Sequence, residues 1–148
     1  MEPWVFPALF AAGLIATHYL FLRAASGRLS DTLGALVLEG TAAVGIAGYW
    51  LLRGRFSTLP TTRAGVFYAA MSGLAISGAS ILIFAALRKG GPVSSTGTLV
   101  LGGGVALSSL AAPFLFPDAM TVRRAVGVAL GLLAMLILAT ETAPTPAP

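Results

Sequence analysis

The chain has 148 residues, 57% hydrophobic and 9% charged, and a soluble domain of that make-up would lack the polar surface to cover its core, so lipid is the expected solvent. A net charge of +4 would suit a nucleic-acid binder, but the nine Arg and Lys residues stand one to three at a time between apolar runs. That is the spacing of membrane flanks, so the expected partner is the lipid bilayer and not nucleic acid. The absence of cysteine excludes disulfides, thiolate metal sites and cysteine nucleophiles. A hydrocarbon core about 30 Å thick needs about 20 apolar residues per helical crossing, which predicts an all-α integral membrane domain of five transmembrane helices over residues 1–140.

The first span is expected over residues 4–22, with Trp4 at the water interface and Arg23 closing the far end. Met1-Glu2-Pro3-Trp4 lacks the basic segment of a secretory signal, so this span is expected to be mature structure. After the turn Ser26-Gly27-Arg28, Ser30 or Asp31 can cap a second span over residues 33–52, which exits through Tyr49, Trp50 and Arg53. Residues 54–63 form the longest connection, and Pro60 cannot easily continue either neighbouring helix. The third span, residues 65–87, ends at Arg88-Lys89, where Gly90-Gly91-Pro92 breaks the chain and starts a fourth over residues 93–116. Pro117-Asp118 turns into a fifth, residues 121–139, which begins with Arg123-Arg124 at the interface. Residues 141–148 are expected to be a disordered, proline-rich tail.

Five spans put the two termini on opposite sides. The amino-terminal side then carries Arg53, Arg55, Arg63, Arg123 and Arg124, and the other carries Arg23, Arg28, Arg88 and Lys89. Five against four is a weak vote under the positive-inside rule. Either other signals set one orientation, or the chain inserts both ways and pairs with an inverted copy of itself.

Residues 87–138 contain a basic helix end, Gly91-Pro92-Val93, Asp118, Thr121, Arg123 and the pair Gly127 and Gly131. In that order they resemble the second half of an EamA domain of the drug/metabolite transporter superfamily, and the layout of residues 4–52 resembles its front half. The family's Gly-Glu pair after the fourth helix is replaced by Pro117-Asp118. The resemblance implies a single EamA-like repeat of five helices, paired as a homodimer in a bacterial inner membrane. Full-length members carry two such halves in opposite orientations, so an antiparallel pair is one form the dimer can take.

Glu39 is the sharpest feature, a single carboxyl expected near the middle of the second span. A charge there costs roughly 2.5 to 3.5 kcal/mol on insertion scales, so such residues face protein or water. Desolvation disfavours a carboxylate, and a carboxyl that exchanges its proton near neutrality is what proton coupling requires. The plain alternatives are structural glue between helices and a shifted span that exposes the residue. His18 and Tyr19 lie on the first span. Counted from the turn near Ser26, His18 and Glu39 differ in depth by roughly 7 to 8 Å, so a proton relay through His18 is weighed against the plainer reading of a histidine hydrogen-bonded for packing.

In the fourth span, Gly102, Gly103 and Gly104 remove side chains at mid-membrane. Such a stretch can unwind and expose carbonyls to a solute, or it can admit a bulky neighbour such as Phe84. Ser94, Ser95, Thr96, Thr98, Ser108 and Ser109 can line a wet pathway or bond their own helix carbonyls. Ala69, Gly73, Ser77 and Ser80 make a small-residue stripe that suits close packing, and Gly127 with Gly131 make a helix-pairing pattern.

One histidine and no cysteine leave too few ligands for a metal site. No nucleophile–base set or phosphate-binding loop is visible, so neither an enzyme nor a cofactor is expected. The expectation is a secondary transporter of a small polar or amphipathic solute. A non-transporting assembly subunit and a lipid-handling, flippase-like protein are the alternatives.

Overall fold

A computed structural model describes residues 5–53, 61–116 and 120–140. Among them are five helices: α1 (Val5–Ala25), α2 (Asp31–Arg53), α3 (Arg63–Arg88), α4 (Val93–Leu115) and α5 (Val122–Ala139). Each is long and apolar enough to cross a membrane. The described residues hold no strand, only an isolated bridge between Ser26 and Leu29. The fold is all-α, with the architecture of a multi-pass membrane protein. Trp4, most of the 54–63 connection, the Pro117-Asp118 turn and the 141–148 tail lie outside the described residues.

The helix ends are set by local chemistry, and they refine the expected bounds. α1 runs past Leu22 to Ala25. It stops where Gly27 turns to φ +79°, and the Arg28 N–H donates to the Ala25 carbonyl at 3.1 Å. Ser30 is the residue that caps α2, its Oγ accepting the Leu33 N–H at 3.3 Å, so the helix begins at Asp31. Thr62 does the same for α3 through the Gly65 N–H at 3.1 Å. Past Arg88 the chain leaves α3 through Gly90 at φ +96°. Thr121 caps α5 by accepting the Arg124 N–H at 3.2 Å.

The chain divides into two compact units. Ala24–Arg88 holds most of its length in α2 and α3; Met1–Arg23 and Lys89–Pro148 contribute α1, α4 and α5 to the other.

In the first of these units, α2 and α3 are antiparallel and closed over only part of their length. Gly34, Ala35, Ser80, Ile83, Phe84 and Leu87 are buried, and Leu87 has no exposed surface. Beyond Glu39 and Ser80 toward the other end, every described side chain of residues 49–52 and 63–76 is exposed. Leu51, Leu52, Val66, Phe67 and Leu74 are among the large apolar side chains left outward there, as lipid contact requires. The closed half owes its closeness to Gly34. A Cβ at that position would stand 2.8 Å from the Phe84 ring and 3.0 Å from Leu29. Glycine is what lets the aromatic ring lie against the α2 backbone.

In the other unit, α4 packs on α5. α4 continues unbroken through Gly102-Gly103-Gly104, and Pro113 sits inside its final turn. The carbonyls that an unwound turn would release therefore stay in the helical ladder. The bulky neighbour of the glycines is Met135 of α5, not Phe84: Cβ atoms on Gly102 and Gly103 would each meet it at 3.1 Å. α5 buries none of its side chains.

Candidate functional site

The register of the α2–α3 pair is fixed at its end by charge. Arg88 donates to both carboxylate oxygens of Asp31, with Nη2 to Oδ2 at 2.7 Å and Nε to Oδ1 at 2.9 Å. This bidentate geometry constrains orientation as well as distance. Eight residues into each helix from that pair stand Glu39 and Ser80, about 12 Å deeper at 1.5 Å per residue. An antiparallel pair in this register must bring them together. Ser80 Oγ donates to Glu39 Oε1 at 2.6 Å.

Glu39 is the ninth of the 23 residues of α2, so it stands three residues from the midpoint, on the side of the closed end. It is half-buried, and Ser80 is only 6% exposed. The other hydroxyls nearby are occupied within their own helices: Thr41 Oγ1 donates to the Val37 carbonyl at 2.8 Å, and Ser77 Oγ to the Gly73 carbonyl at 2.9 Å. Ser80 instead reaches across to the neighbouring helix. A serine hydroxyl both donates and accepts, so it can donate to an ionised carboxylate and accept from a protonated one. The pair thus offers Glu39 a hydrogen bond in either protonation state. Its second oxygen, Oε2, takes no hydrogen bond among the described residues.

His18 and Tyr19 belong to the other unit, and the Glu39 pair is completed without them. Their rings meet edge to face, with centroids 5.6 Å apart at 81°. Tyr19 forms part of a groove of about 1070 Å³ between α1 and α4. Ala8, Ala12 and Ala16 line one side of it, and Ser94, Gly97, Thr98 and Gly102 the other. The groove therefore gathers Tyr19, Ser94, Thr98 and Gly102 from the expected site residues. Ser95 and Thr96 are buried and are not among its lining residues, and Gly103 faces Met135. Gly104 has open space where a Cβ would be. Gly127 and Gly131 line a smaller α4–α5 groove of about 260 Å³, beside Gly102 and Ser109, with open space over each. Gly73 is likewise open. Ser108 bonds the Val105 carbonyl at 3.0 Å within its own helix. Among the described residues no three His, Cys, Asp or Glu side chains gather as metal ligands.

Three features escaped sequence reasoning: Ser80 as the partner of Glu39, the Asp31–Arg88 pair, and Met135 as the side chain that fills the glycine notch of α4. The first had a signal in the sequence. Glu39 and Ser80 sit at equal offsets from two opposite charges at helix ends. Compared with family models, curated proteins and solved structures, the chain matches none of them.

Proposed function

We propose that the protein is a secondary transporter of a small polar or amphipathic solute, an EamA-like five-helix half that works as an antiparallel homodimer in a bacterial inner membrane. The observation that carries this reading is the Glu39–Ser80 hydrogen bond of 2.6 Å within the apolar α2–α3 pair. A carboxyl inside a membrane span is expensive to place and marks proton or solute pathways in such proteins. Ser80 can satisfy it in either protonation state, which is what a group that loads and unloads a proton during a cycle needs. The near balance of flanking charges, five against four, suits insertion in both orientations. Two inverted copies then supply the paired repeats whose rocking exposes a midplane site to each side in turn.

The assembly-subunit alternative has Glu39 pair with a residue of another protein, and Ser80 of the same chain already takes one of its two oxygens. A lipid-handling protein is the second reading, and the apolar α1–α4 groove favours it.

The test is flux. Purified protein reconstituted into liposomes is expected to accumulate ethidium, an amphipathic probe, when a pH gradient is imposed. Ethidium movement equal to that of protein-free liposomes contradicts the proposal. Mapping tags at both termini checks the dimer: two populations of opposite orientation are expected, and a single orientation excludes the antiparallel form.

A further inference from the structure

We propose that the α1–α4 groove is a binding site for one acyl chain of an anionic phospholipid, with the lipid head group at the Arg23–Lys89 end. This proposal does not depend on transport, because the groove would hold the lipid whether or not a solute crosses.

The groove has the length of one leaflet. Its α1 side runs from Ala8 to Leu20 and its α4 side from Val93 to Val105. Twelve residues at 1.5 Å each make about 18 Å, against about 15 Å for half of a 30 Å hydrocarbon core. Four alanines and Gly97 keep it open, and nearly all of its walls are apolar.

One end is built differently. Tyr19 is 6% exposed, lines the groove, and its hydroxyl has no hydrogen-bond partner among the described residues. The Tyr19 ring lies over Gly97, where a Cβ would meet it at 3.6 Å. Ser94 faces the same end. The Tyr19 hydroxyl itself keeps open surface, since Ser26 Oγ is the one side-chain oxygen buried without a partner among the described residues, and the tyrosine can donate to a lipid ester carbonyl at that depth.

The charge beyond that end is positive. Ala8, Ala12, Ala16 and Tyr19 recur at three- and four-residue steps, and the next residue of that stripe is Arg23. Lys89, exposed, precedes the first α4 residue of the groove by four positions. Basic residues at a membrane interface favour anionic head groups. An acyl chain along the alanines, an ester beside Tyr19 and a phosphate near Lys89 follow the same order as the side chains.

The test uses the full chain purified in dodecyl maltoside, supplied with equimolar phosphatidylglycerol and phosphatidylcholine of matched chains, and read by native mass spectrometry. One phosphatidylglycerol per chain is expected, and Lys89→Gln should lower its preference over phosphatidylcholine by about fivefold. Tyr19→Phe should weaken retention of both lipids alike. Gly97→Leu should remove binding by driving a side chain into the groove beside Tyr19. Should that variant misfold, Ala12→Phe obstructs the groove from α1 with the same expected loss. Equal retention of the two lipids by the unaltered protein overturns the proposal, as does undiminished binding in a correctly folded groove-filling variant. Displacement of phosphatidylglycerol by equimolar decanoate overturns the phospholipid as occupant.

Discussion

The α2–α3 and α4–α5 pairs are both antiparallel helices rich in small residues, yet they are held by different chemistry. α2 and α3 are cross-linked twice by polar groups, at Asp31–Arg88 and at Glu39–Ser80, with Phe84 seated against Gly34 between them. α4 and α5 meet through a flexible methionine laid across two glycines, and α5 buries no side chain. In lipid, where apolar surface gains little by leaving its surroundings, association rests on packing and on polar cross-links. The first pair therefore has a register fixed by polar groups, and the glycine–methionine contact of the second can adjust.

Substitutions at the closest contacts should separate the two pairs. The largest effect is expected from Gly34→Val, because the Phe84 ring that its Cβ would strike is itself buried, at 3% exposure. Overpacking of this kind costs about 1 to 3 kcal/mol, measurable by unfolding in mixed micelles, and Phe84→Leu in the same chain should recover part of the loss. Ser80→Ala comes next. It removes the hydrogen bond to Glu39, and interhelical bonds in membranes average about 0.6 kcal/mol with a maximum near 1.7. A loss toward the upper part of that range is expected, since Glu39 then keeps no partner among the described residues.

Arg88→Gln should cost less than Ser80→Ala, because the side chain is half exposed at the helix end, and raising the salt concentration should shrink the difference. The smallest effect is expected from Gly102→Ala, a fraction of a kcal/mol. Its Cβ would meet Cγ and Sδ of the unbranched Met135 side chain at 3.1 Å, and methionine repacks readily. If Gly102→Ala proved as damaging as Gly34→Val, the contrast between the two pairs would collapse.

The five helices were legible because their hydropathy persists for a full bilayer thickness between charged flanks. Their ends were less so: whether Ser30 or Asp31 caps α2 depends on which oxygen meets the Leu33 N–H, a matter of backbone geometry. Glu39 stood out as a charge in an apolar run, but Ser80 read as one more small residue of a packing stripe. Its role appears only once α2 and α3 are placed in register, and the register comes from Asp31 and Arg88, 57 positions apart. The glycine triplet was ambiguous for a related reason. Glycine permits both unwinding and close approach, and Met135, which here fills the notch, lies on another helix.

The central claim is that Glu39 links proton movement to solute movement, and the Glu39→Gln variant tests it most directly in liposomes that measure two kinds of ethidium flux. Glutamine keeps the shape and a hydrogen bond to Ser80 but cannot release a proton. The account predicts that accumulation driven by a pH gradient disappears while exchange of labelled for unlabelled ethidium continues. Accumulation at the unaltered rate in Glu39→Gln would contradict it.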